Sequence, residues 1–513
     1  MMRRSAWLAL ALIVIASLRI VSTYKVLSHT TDEPAHLAAG MEWIGNGTYT
    51  YEDQHPPLAR VTGAMGLHLT GSRWTGDKDM YAEGVRLLGQ THRYTRALFF
   101  SRLAMLPFFW ISAAVVYLWA LRAGGAGAAV LATLLFTSMP PVLAHAGLVT
   151  TDMALTAFVS ATLLASLYWA ENPGWLRSVL LGIMLGLALL SKFSALAFLP
   201  AAWLLMFAVY LFRKGPVRRA VTLAPWAAVS VMVALLLVWA GYRFAVGPVD
   251  YLKATVPAPA FFTGIHYVIG HNRVGHLAYL LGQRSQAGFW YYYPVVLAVK
   301  TPLAALILMA AAIWFAARRR DRLQIAMPLA YTAAILIVGM FSHINIGVRH
   351  LLPIYSGLAI CCGASLNRLF EARQRWAKWI AVPLVSWQVM SGAAVHPDYI
   401  AYTNELAGSH PEKILADSDL DWDQGMRGFA LRLQELGVQT ITFKINGSGY
   451  LVASGAAFPN YVLMPDGDQP QPGWNAVSVT AWKLSGQPAW AERIPPMERI
   501  RRSILLYYFP PGK

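Results

Sequence analysis

Two adjacent carboxylates, Asp32 and Glu33, follow directly on the first apolar run of the chain. Pro34 comes next, and proline suits the first turn of a helix. The pair therefore lies where a membrane helix would leave the bilayer, within reach of a lipid head group and of water. A carboxylate there can act as general base on a hydroxyl. The alternative is structural, because Asp32 could cap the following helix and both charges suit its N-terminus.

Further ionisable residues stand at the ends of later apolar runs, where charge is costly and usually paired. Asp152 begins one apolar run, and Lys192 lies where two short apolar runs meet. Arg349 and His350 lie in the turn before another apolar run. The structural alternatives are a helix cap for Asp152, a side chain extended to the interface for Lys192, and a topological anchor for Arg349. A carboxylate base with cations on a departing phosphate would suit group transfer from a lipid-linked phosphate.

The loop 245–288 concentrates cationic and titratable side chains: His266, His271, Arg273, His276 and Arg284. Arginine presents a planar fork of donors that matches phosphate. We therefore predict that Lys192, Arg273, His276, Arg349 and His350 bind a phosphate. The histidines could instead bind a metal ion, although their spacing matches no structural zinc pattern.

The acidic run from Asp417 to Asp423 resembles a calcium-binding loop at first sight. It lacks the glycine expected at the sixth position, which is Trp422, and the glutamate expected at the twelfth, which is Gly428. We favour a strand end that leads into a helix at Gln424, with carboxylates near the helix N-terminus.

The elements that must position these residues are membrane helices. The chain has 513 residues, of which 57% are hydrophobic and 13% charged, and apolar runs near the length that spans a bilayer recur along it. The net charge of +17 lies entirely before His396 and collects in short loops, which is typical of membrane topology and not of nucleic-acid binding. We predict a polytopic α-helical membrane protein with no nucleic-acid partner.

Eleven spans are predicted, at 6–27, 98–121, 128–143, 153–170, 179–190, 195–212, 221–242, 291–316, 325–341, 351–366 and 379–394. Basic residues fall in alternate loops on the side of Arg3 and Arg4, and they include Arg218, Arg219, Arg319, Arg320 and Arg322. We therefore expect a multi-pass protein of the inner (plasma) membrane. Its N-terminus is predicted to lie in the cytoplasm, and its C-terminal segment in the periplasm or outside the cell.

Two domains are expected: a transmembrane catalytic domain, 1–395, and a soluble extracytoplasmic α/β domain, 396–513. The first carries two large outer loops, 28–96 and 245–288. In the second, we predict a strand at 413–418, a helix at 424–436 and a strand at 440–446, the pattern of a βαβ unit. Strand-like composition returns at 476–484 and 503–509.

The ordered set of motifs resembles the protein O-mannosyltransferase and lipid A aminoarabinose transferase family of the GT-C superfamily, in particular its bacterial polyprenyl-phosphate-sugar-dependent members. The resemblance covers almost the whole chain. The motifs that carry it are Asp32-Glu33, His55-Pro56-Pro57-Leu58, Thr151-Asp152, Leu190-Ser191-Lys192, and the stretches 289–294, 299–302, 345–353, 396–399 and 417–422.

The resemblance implies a GT-C-type fold and an inverting transfer of a sugar from a polyprenyl-phosphate-linked donor to an acceptor hydroxyl outside the cytoplasm. It places the catalytic base at Asp32, supporting acidic positions at Glu33 and Asp152, and a phosphate contact at Lys192. We assign His55 and Arg60 to contacts with the acceptor or the donor sugar. Some relatives use a divalent metal, for which Glu33, His55 and His271 are the candidates. The acceptor is a glycan, a lipid or a protein.

Two other classes of protein compete with this interpretation. A polytopic transporter or flippase for lipid-linked sugars would place charges at mid-depth in the bundle and interrupt paired helices, whereas here the acidic residues lie at span ends and in loops. A non-catalytic assembly protein would use the soluble tail to bind a partner.

Overall fold

The computed structural model describes residues 2–52, 54–214, 220–318, 323–445, 447–448, 458–465 and 469–510. Arg218, Arg219, Arg319, Arg320 and Arg322, which contribute to the predicted orientation, lie outside these residues. The helices are α1 Met2–Thr23, α2 Glu33–Gly45, α3 Pro57–His68, α4 Met80–Gly89, α5 Tyr94–Leu103, α6 Leu106–Ser138, α7 Pro140–Ala146, α8 Asp152–Glu171, α9 Trp175–Ser191, α10 Ala195–Lys214, α11 Ala220–Gly241, α12 Pro259–Val274, α13 Tyr292–Lys300, α14 Leu303–Arg318, α15 Leu323–Met340, α16 Ile354–Glu371, α17 Arg375–Ala394, α18 Met426–Glu435 and α19 Val479–Ser485. The strands are β1 Val246–Val249, β2 Ala254–Pro257, β3 Ala278–Leu280, β4 Gln283–Ser285, β5 Thr440–Lys444, β6 Asn460–Leu463, β7 Gly473–Ser478, β8 Glu498–Ile500 and β9 Ile504–Phe509.

The chain is a multi-pass helical membrane protein. Within the described residues, six helical segments are long and apolar enough to cross a bilayer, or seven if the bent pair α13–α14 forms one span. Large apolar side chains on three of them, such as Trp7, Leu204 and Leu235, are exposed, as expected for helices that face lipid. The six are Met2–Thr23, Tyr94–Ser138, Asp152–Glu171, Ala195–Arg213, Ala224–Gly241 and Leu323–Met340. The count of eleven spans remains a prediction.

The predicted span at 291–316 corresponds to two helices, α13 and α14, separated by a sharp bend. Helices α13 and α14 are bent by 116° at Thr301 and Pro302, because proline has no backbone N–H to continue the helix and disfavours a helical residue before it. The side-chain amide of Asn404 donates to the carbonyls of Ala298 and Thr301 at 2.6 and 2.7 Å. The carbonyls freed by the break therefore have partners from the C-terminal segment.

Helices α2, α3, α4 and α5 form a compact layer in the first outer loop, and glycines allow their close approach. At Gly84 on α4, a Cβ atom would lie 2.0 Å from the carbonyl oxygen of Pro34 on α2. Only a residue without a side chain fits at that distance. This contact fixes α4 above the first turn of α2, which carries Glu33 and follows Asp32.

The C-terminal segment carries a five-stranded sheet in the order β6-β5-β7-β9-β8. Strand β5 pairs in parallel with β6 and β7, whereas β9 pairs antiparallel with β7 and β8. The predicted helix and the strands at 440–446 and 503–509 correspond to α18, β5 and β9. The stretch predicted as a strand at 476–484 ends β7 and then becomes α19.

The predicted strand at 413–418 was wrong. This stretch contains two short 3₁₀ turns, Pro411–Lys413 and Asp417–Asp419, and Asp417 has a positive φ of 56°. Its backbone contacts lie with the membrane domain, since Leu281 N donates to Ile414 O at 2.9 Å. The apolar residues of this stretch therefore make tertiary contacts and do not form a sheet.

We predict that Gly84→Ala lowers stability, because the added methyl group must displace the backbone of Pro34 and overpacking costs about 1–3 kcal/mol. Gly270→Ala on α12 is the matched control, since nothing lies within 4 Å of a Cβ there and alanine favours a helix by about 0.5–1 kcal/mol. Thermal unfolding in detergent should show a lower midpoint for Gly84→Ala alone. Equal midpoints for the two variants would contradict the close contact.

Candidate active site

Two ion pairs join four ionisable residues that the sequence placed at the ends of apolar runs. Arg349 Nη1 lies 3.1 Å from Asp32 Oδ2, and Lys192 Nζ lies 2.7 Å from Asp152 Oδ1. Asp32 precedes α2, Asp152 begins α8, Lys192 follows α9, and Arg349 lies in the 3₁₀ turn Val348–Leu351. Residues at the ends of four different elements therefore form the two ion pairs.

The two pairs are electrostatic neighbours. Arg349 acts on both Asp32 and Asp152, and His145 acts on Asp152 as well. Asp152 is fully buried, and within the described residues its second oxygen, Oδ2, has no hydrogen-bond partner. A buried carboxylate oxygen without a donor can accept a hydrogen bond from a ligand or a water molecule.

Asp32 and Glu33 differ sharply in their surroundings. The side chain of Asp32 is 27% exposed, so it can contact a substrate. Glu33 is fully buried and accepts hydrogen bonds from Arg102 Nη2 at 2.7 Å, Thr30 N at 2.7 Å and Val149 N at 3.0 Å. Burial alone would raise the pKa of Glu33, but these partners lower it below its usual value. Glu33 thus anchors the start of α2 to α5 and to the turn before α8.

Two histidines border the cations and are held neutral. Burial lowers the pKa of His145 and of His350 to about 3 in each case, and the charge of Lys192 acts in the same direction. The Nδ1 atoms of both rings are buried and lack a hydrogen-bond partner among the described residues. His350 stacks on Tyr293 with 6.0 Å between ring centroids. The site therefore offers neutral ring nitrogens beside its two cations.

His55 and Arg60 belong to a neighbouring buried cluster. Arg60 forms an ion pair with Glu52 and donates from Nε to His36 Nδ1 at 3.0 Å and from Nη2 to His55 Nδ1 at 3.2 Å. Arg60 is almost completely buried, whereas the side chain of His55 is 24% exposed. Only His55 of the two predicted contact residues is accessible to a ligand, and Arg60 orients it.

The residues predicted from the loop 245–288 do not all meet at the site. Arg273 is exposed on the last turn of α12. His276 lies close enough for its charge to act on Asp417, and its ring centroid is 5.6 Å from that of His271. His271 Nδ1 contacts Gln54 Oε1 at 3.2 Å. The loop thus reaches the edge of the site through its histidines and not through Arg273.

The predicted metal candidates do not form a metal site in the part of the chain that the structure describes. No group there of three or more His, Cys, Asp or Glu side chains could hold a metal ion. Glu33 is neutralised by Arg102, and His55 lies beside the guanidinium of Arg60. A fixed cation next to Glu33 and another next to His55 oppose the binding of a metal ion at these two candidates.

Sequence reasoning missed two residues near the carboxylate pair. Arg102, the partner of Glu33, lies inside the predicted span 98–121. An ionisable residue within a span usually has a buried partner, so its position could have marked Arg102 as a site residue. Tyr81 on α4 lies near Asp32, and burial together with the Asp32 charge raises the pKa of Tyr81 to about 12. No sequence pattern marked Tyr81.

An apolar groove of about 520 Å³ is lined by residues of α3 and α5 and by the end of α9. Its lining includes Pro57, two residues after His55, and Leu190, two residues before Lys192. Val61, Phe100 and Leu103 continue it along α3 and α5. A groove of this composition can hold a hydrocarbon chain beside charged groups.

Comparisons with known proteins identify the fold. The family described as dolichyl-phosphate-mannose-protein mannosyltransferase matches residues 84–242. The crystal structure of ArnT from Cupriavidus metallidurans bound to undecaprenyl phosphate aligns with a TM-score of 0.53 and 15% identity over 98% of both chains. Its apo state gives 0.52 at the same identity and coverage. The Archaeoglobus fulgidus oligosaccharyltransferase in complex with Zn and sulfate gives 0.50 at 14% identity, over 88% of this chain and 62% of that one. No curated protein sequence matches the chain significantly.

These similarities confirm the resemblance predicted from the sequence motifs. The chain has the fold of the GT-C superfamily of membrane glycosyltransferases. The family match over 84–242 includes the helices that carry Asp152 and precede Lys192.

We predict that Glu33→Gln destabilises the protein, because it leaves the Arg102 guanidinium buried without a counter-charge, which costs about 3–5 kcal/mol. Asp32→Asn is the comparison, because Asp32 is 27% exposed and Arg349 keeps the charge of Asp152 nearby, so we expect a smaller loss of stability. Thermal unfolding in detergent would measure both. A stable Glu33→Gln protein would argue against the anchoring role.

We predict that stability falls as the pH falls below about 6.5. Burial lowers the pKa of His29 to about 4, and His145 and His350 are lowered further, so the unfolded chain binds protons in this range that the folded chain does not. The unfolding midpoint measured from pH 7.5 to pH 5 should therefore decrease. His29→Gln should reduce the dependence of the unfolding midpoint on pH, whereas substitution of the exposed His92 should leave this dependence unchanged. An equal pH dependence in the two variants would refute the contribution of His29.

Proposed function

We propose that this protein is an inverting glycosyltransferase that moves a sugar from a polyprenyl-phosphate-linked donor to an acceptor hydroxyl on the extracytoplasmic face of the membrane. The observation that carries the proposal is that the Asp32–Arg349 and Asp152–Lys192 ion pairs are electrostatic neighbours, since Arg349 interacts with both carboxylates. It supplies a carboxylate base and two cations within a single polar site.

Asp32 is the base in this proposal. It is partly exposed, while Glu33 and Asp152 are fully buried, and only an accessible carboxylate can approach an acceptor hydroxyl. Asp32 accepts the hydroxyl proton as the acceptor oxygen attacks the anomeric carbon of the donor sugar. A single displacement on the face opposite the leaving group inverts that carbon.

Lys192 and Arg349 stabilise the leaving group. The bond between the anomeric carbon and the phosphate oxygen breaks, and the polyprenyl phosphate departs with the electron pair. Lysine acts on it as a point charge and arginine as a planar fork. The phosphate needs no proton to leave, so fixed cations are sufficient to stabilise the charge that develops.

The apolar groove suits the polyprenyl chain of the donor. Its lining includes Leu190, two residues before Lys192, and Pro57, two residues after His55. A lipid whose chain lies in this groove would present its phosphate at the cations. The ArnT structure that shares the fold contains undecaprenyl phosphate, which agrees with a polyprenyl-phosphate donor for this chain.

The neighbouring residues support this arrangement. His55 faces the site and contacts the sugar or the acceptor, and Arg60 with Glu52 orients it. Glu33 holds the first turn of α2 in place through Arg102, so that Asp32 is directed outward. His350 and His276 lie at the rim of the phosphate site, whereas Arg273 is assigned to the encounter with anionic head groups at the membrane surface.

We predict that Asp32→Asn lowers turnover by about 100-fold or more, because general base catalysis contributes about 10²–10⁴. The assay uses the purified protein in nanodiscs with a panel of undecaprenyl-phosphate-linked hexoses and pentoses and with glycan, lipid and peptide acceptors, and mass spectrometry detects the glycosylated acceptor and the released undecaprenyl phosphate. Asp250→Asn is the control, since Asp250 is an exposed carboxylate in the outer loop 245–288. Lys192→Ala should weaken the binding of undecaprenyl phosphate itself.

Unimpaired turnover by Asp32→Asn would contradict the role of Asp32 as base. Movement of the donor across reconstituted vesicles without sugar transfer would favour a flippase instead.

A further inference from the structure

We propose that Ser418 and Trp422 of the C-terminal segment are positioning residues that fix the guanidinium of Arg349 against Asp32. The C-terminal segment would then complete the catalytic site and not only cover it. This inference rests on the proposed function, because it concerns the pair formed by the base and its cation.

The guanidinium of Arg349 is held on its face and on one edge. Its central carbon lies 4.0 Å from the centroid of the Trp422 ring, and Nε donates to Ser418 Oγ at 3.0 Å. Tryptophan is the best aromatic partner for a cation. A planar group that is restrained on its face and at Nε can turn only by breaking one of these contacts, so its Nη1 edge stays directed at Asp32.

Ser418 is itself fixed from the other side. Its hydroxyl donates to Ile346 O at 2.5 Å while its oxygen accepts from Arg349 Nε. Gly347, with a φ of 92°, allows this approach, because a Cβ there would lie 2.6 Å from Ser418 Oγ. The turn that carries Arg349 and the turn that carries Ser418 are thus fitted together by a position that tolerates no side chain.

The same segment also holds the backbone beside the base. Thr31 N donates to Trp422 O at 3.1 Å, and Ser28 N donates to Gln424 O at 3.0 Å. Trp422 therefore contacts Arg349 through its ring and the residue before Asp32 through its carbonyl. One residue of the C-terminal segment sets the position of both members of the ion pair.

Burial makes this restraint effective. Trp422 and Ser418 are buried, and the side chain of Arg349 is 9% exposed, so little water competes for the cation. Interactions between a cation and an aromatic face strengthen when the cation is desolvated. A geometric error at a cation that must meet a developing phosphate charge lowers the rate more than it weakens ground-state binding.

The test compares Trp422→Leu, Trp422→Phe and Ser418→Ala with Trp490→Leu in the nanodisc transfer assay. Trp422→Leu removes the ring face, and we expect kcat to fall by about 10- to 100-fold with a smaller change in donor KM. Trp422→Phe keeps a ring face and should restore most of the loss. Trp490 is a matched control, because it is buried in the same segment, packs on Tyr507 with 4.8 Å between centroids, and should affect stability without lowering kcat per folded molecule.

A double-mutant comparison distinguishes positioning from a structural effect. If Trp422 acts through Arg349, then adding Trp422→Leu to Arg349→Lys should lower kcat little further. If Trp422 affects folding independently, the losses of activity in the two single variants should multiply in the double variant. Ser418→Ala, a small truncation, provides the same comparison should Trp422→Leu fail to fold. Independent, multiplicative losses would overturn the inference.

The outcomes separate this inference from the proposed function. Low turnover in Asp32→Asn and Arg349→Ala together with wild-type kcat in Trp422→Leu and Ser418→Ala would overturn the inference alone. Wild-type turnover in Asp32→Asn and Arg349→Ala would overturn the proposed function and this inference with it.

Discussion

The ion pair between Asp32 and Arg349 is the contact on which the site depends. Unpaired charges at the edge of a membrane domain are strongly unfavourable, so residues from the start of the chain and from the turn before α16 must meet within 3.1 Å. The Asp152–Lys192 pair imposes the same requirement on α8 and α9. Together the two pairs determine which helix ends come together, and the packing of the bundle has to satisfy them.

The membrane explains how much of this site could be predicted. Asp32, Asp152, Lys192 and Arg349 were selected by one rule, an ionisable residue at the end of an apolar run, and the structure places all four in two ion pairs. A bilayer confines such residues to a thin layer, so sequence position becomes partial spatial information. Arg273 was selected by loop composition instead. A loop carries no such restriction, and Arg273 is exposed at the end of α12.

The different fates of Asp32 and Glu33 could not be predicted from their sequence. Consecutive residues at a helix start point about 100° apart, so one carboxylate faces outward when the other faces the core. Which of the two turns inward depends on Arg102 in α5, which lies 2.7 Å from Glu33. That partner is distant in sequence, although its place within an apolar run marked it as a residue that needs a counter-charge.

The bend between α13 and α14 and the irregular stretch at 413–418 both lie where the C-terminal segment meets the membrane helices. Lys300, at the end of α13, is buried, and its ammonium donates to the carbonyls of Ile400 and Asp419 at 2.6 and 2.5 Å. The 3₁₀ turns Tyr399–Ala401 and Asp417–Asp419 supply these two acceptors, and a buried charge without hydrogen bonds would be strongly unfavourable. Local propensity therefore fails at the junction where the C-terminal segment meets the membrane helices, and the same junction places Ser418 and Trp422 beside Arg349.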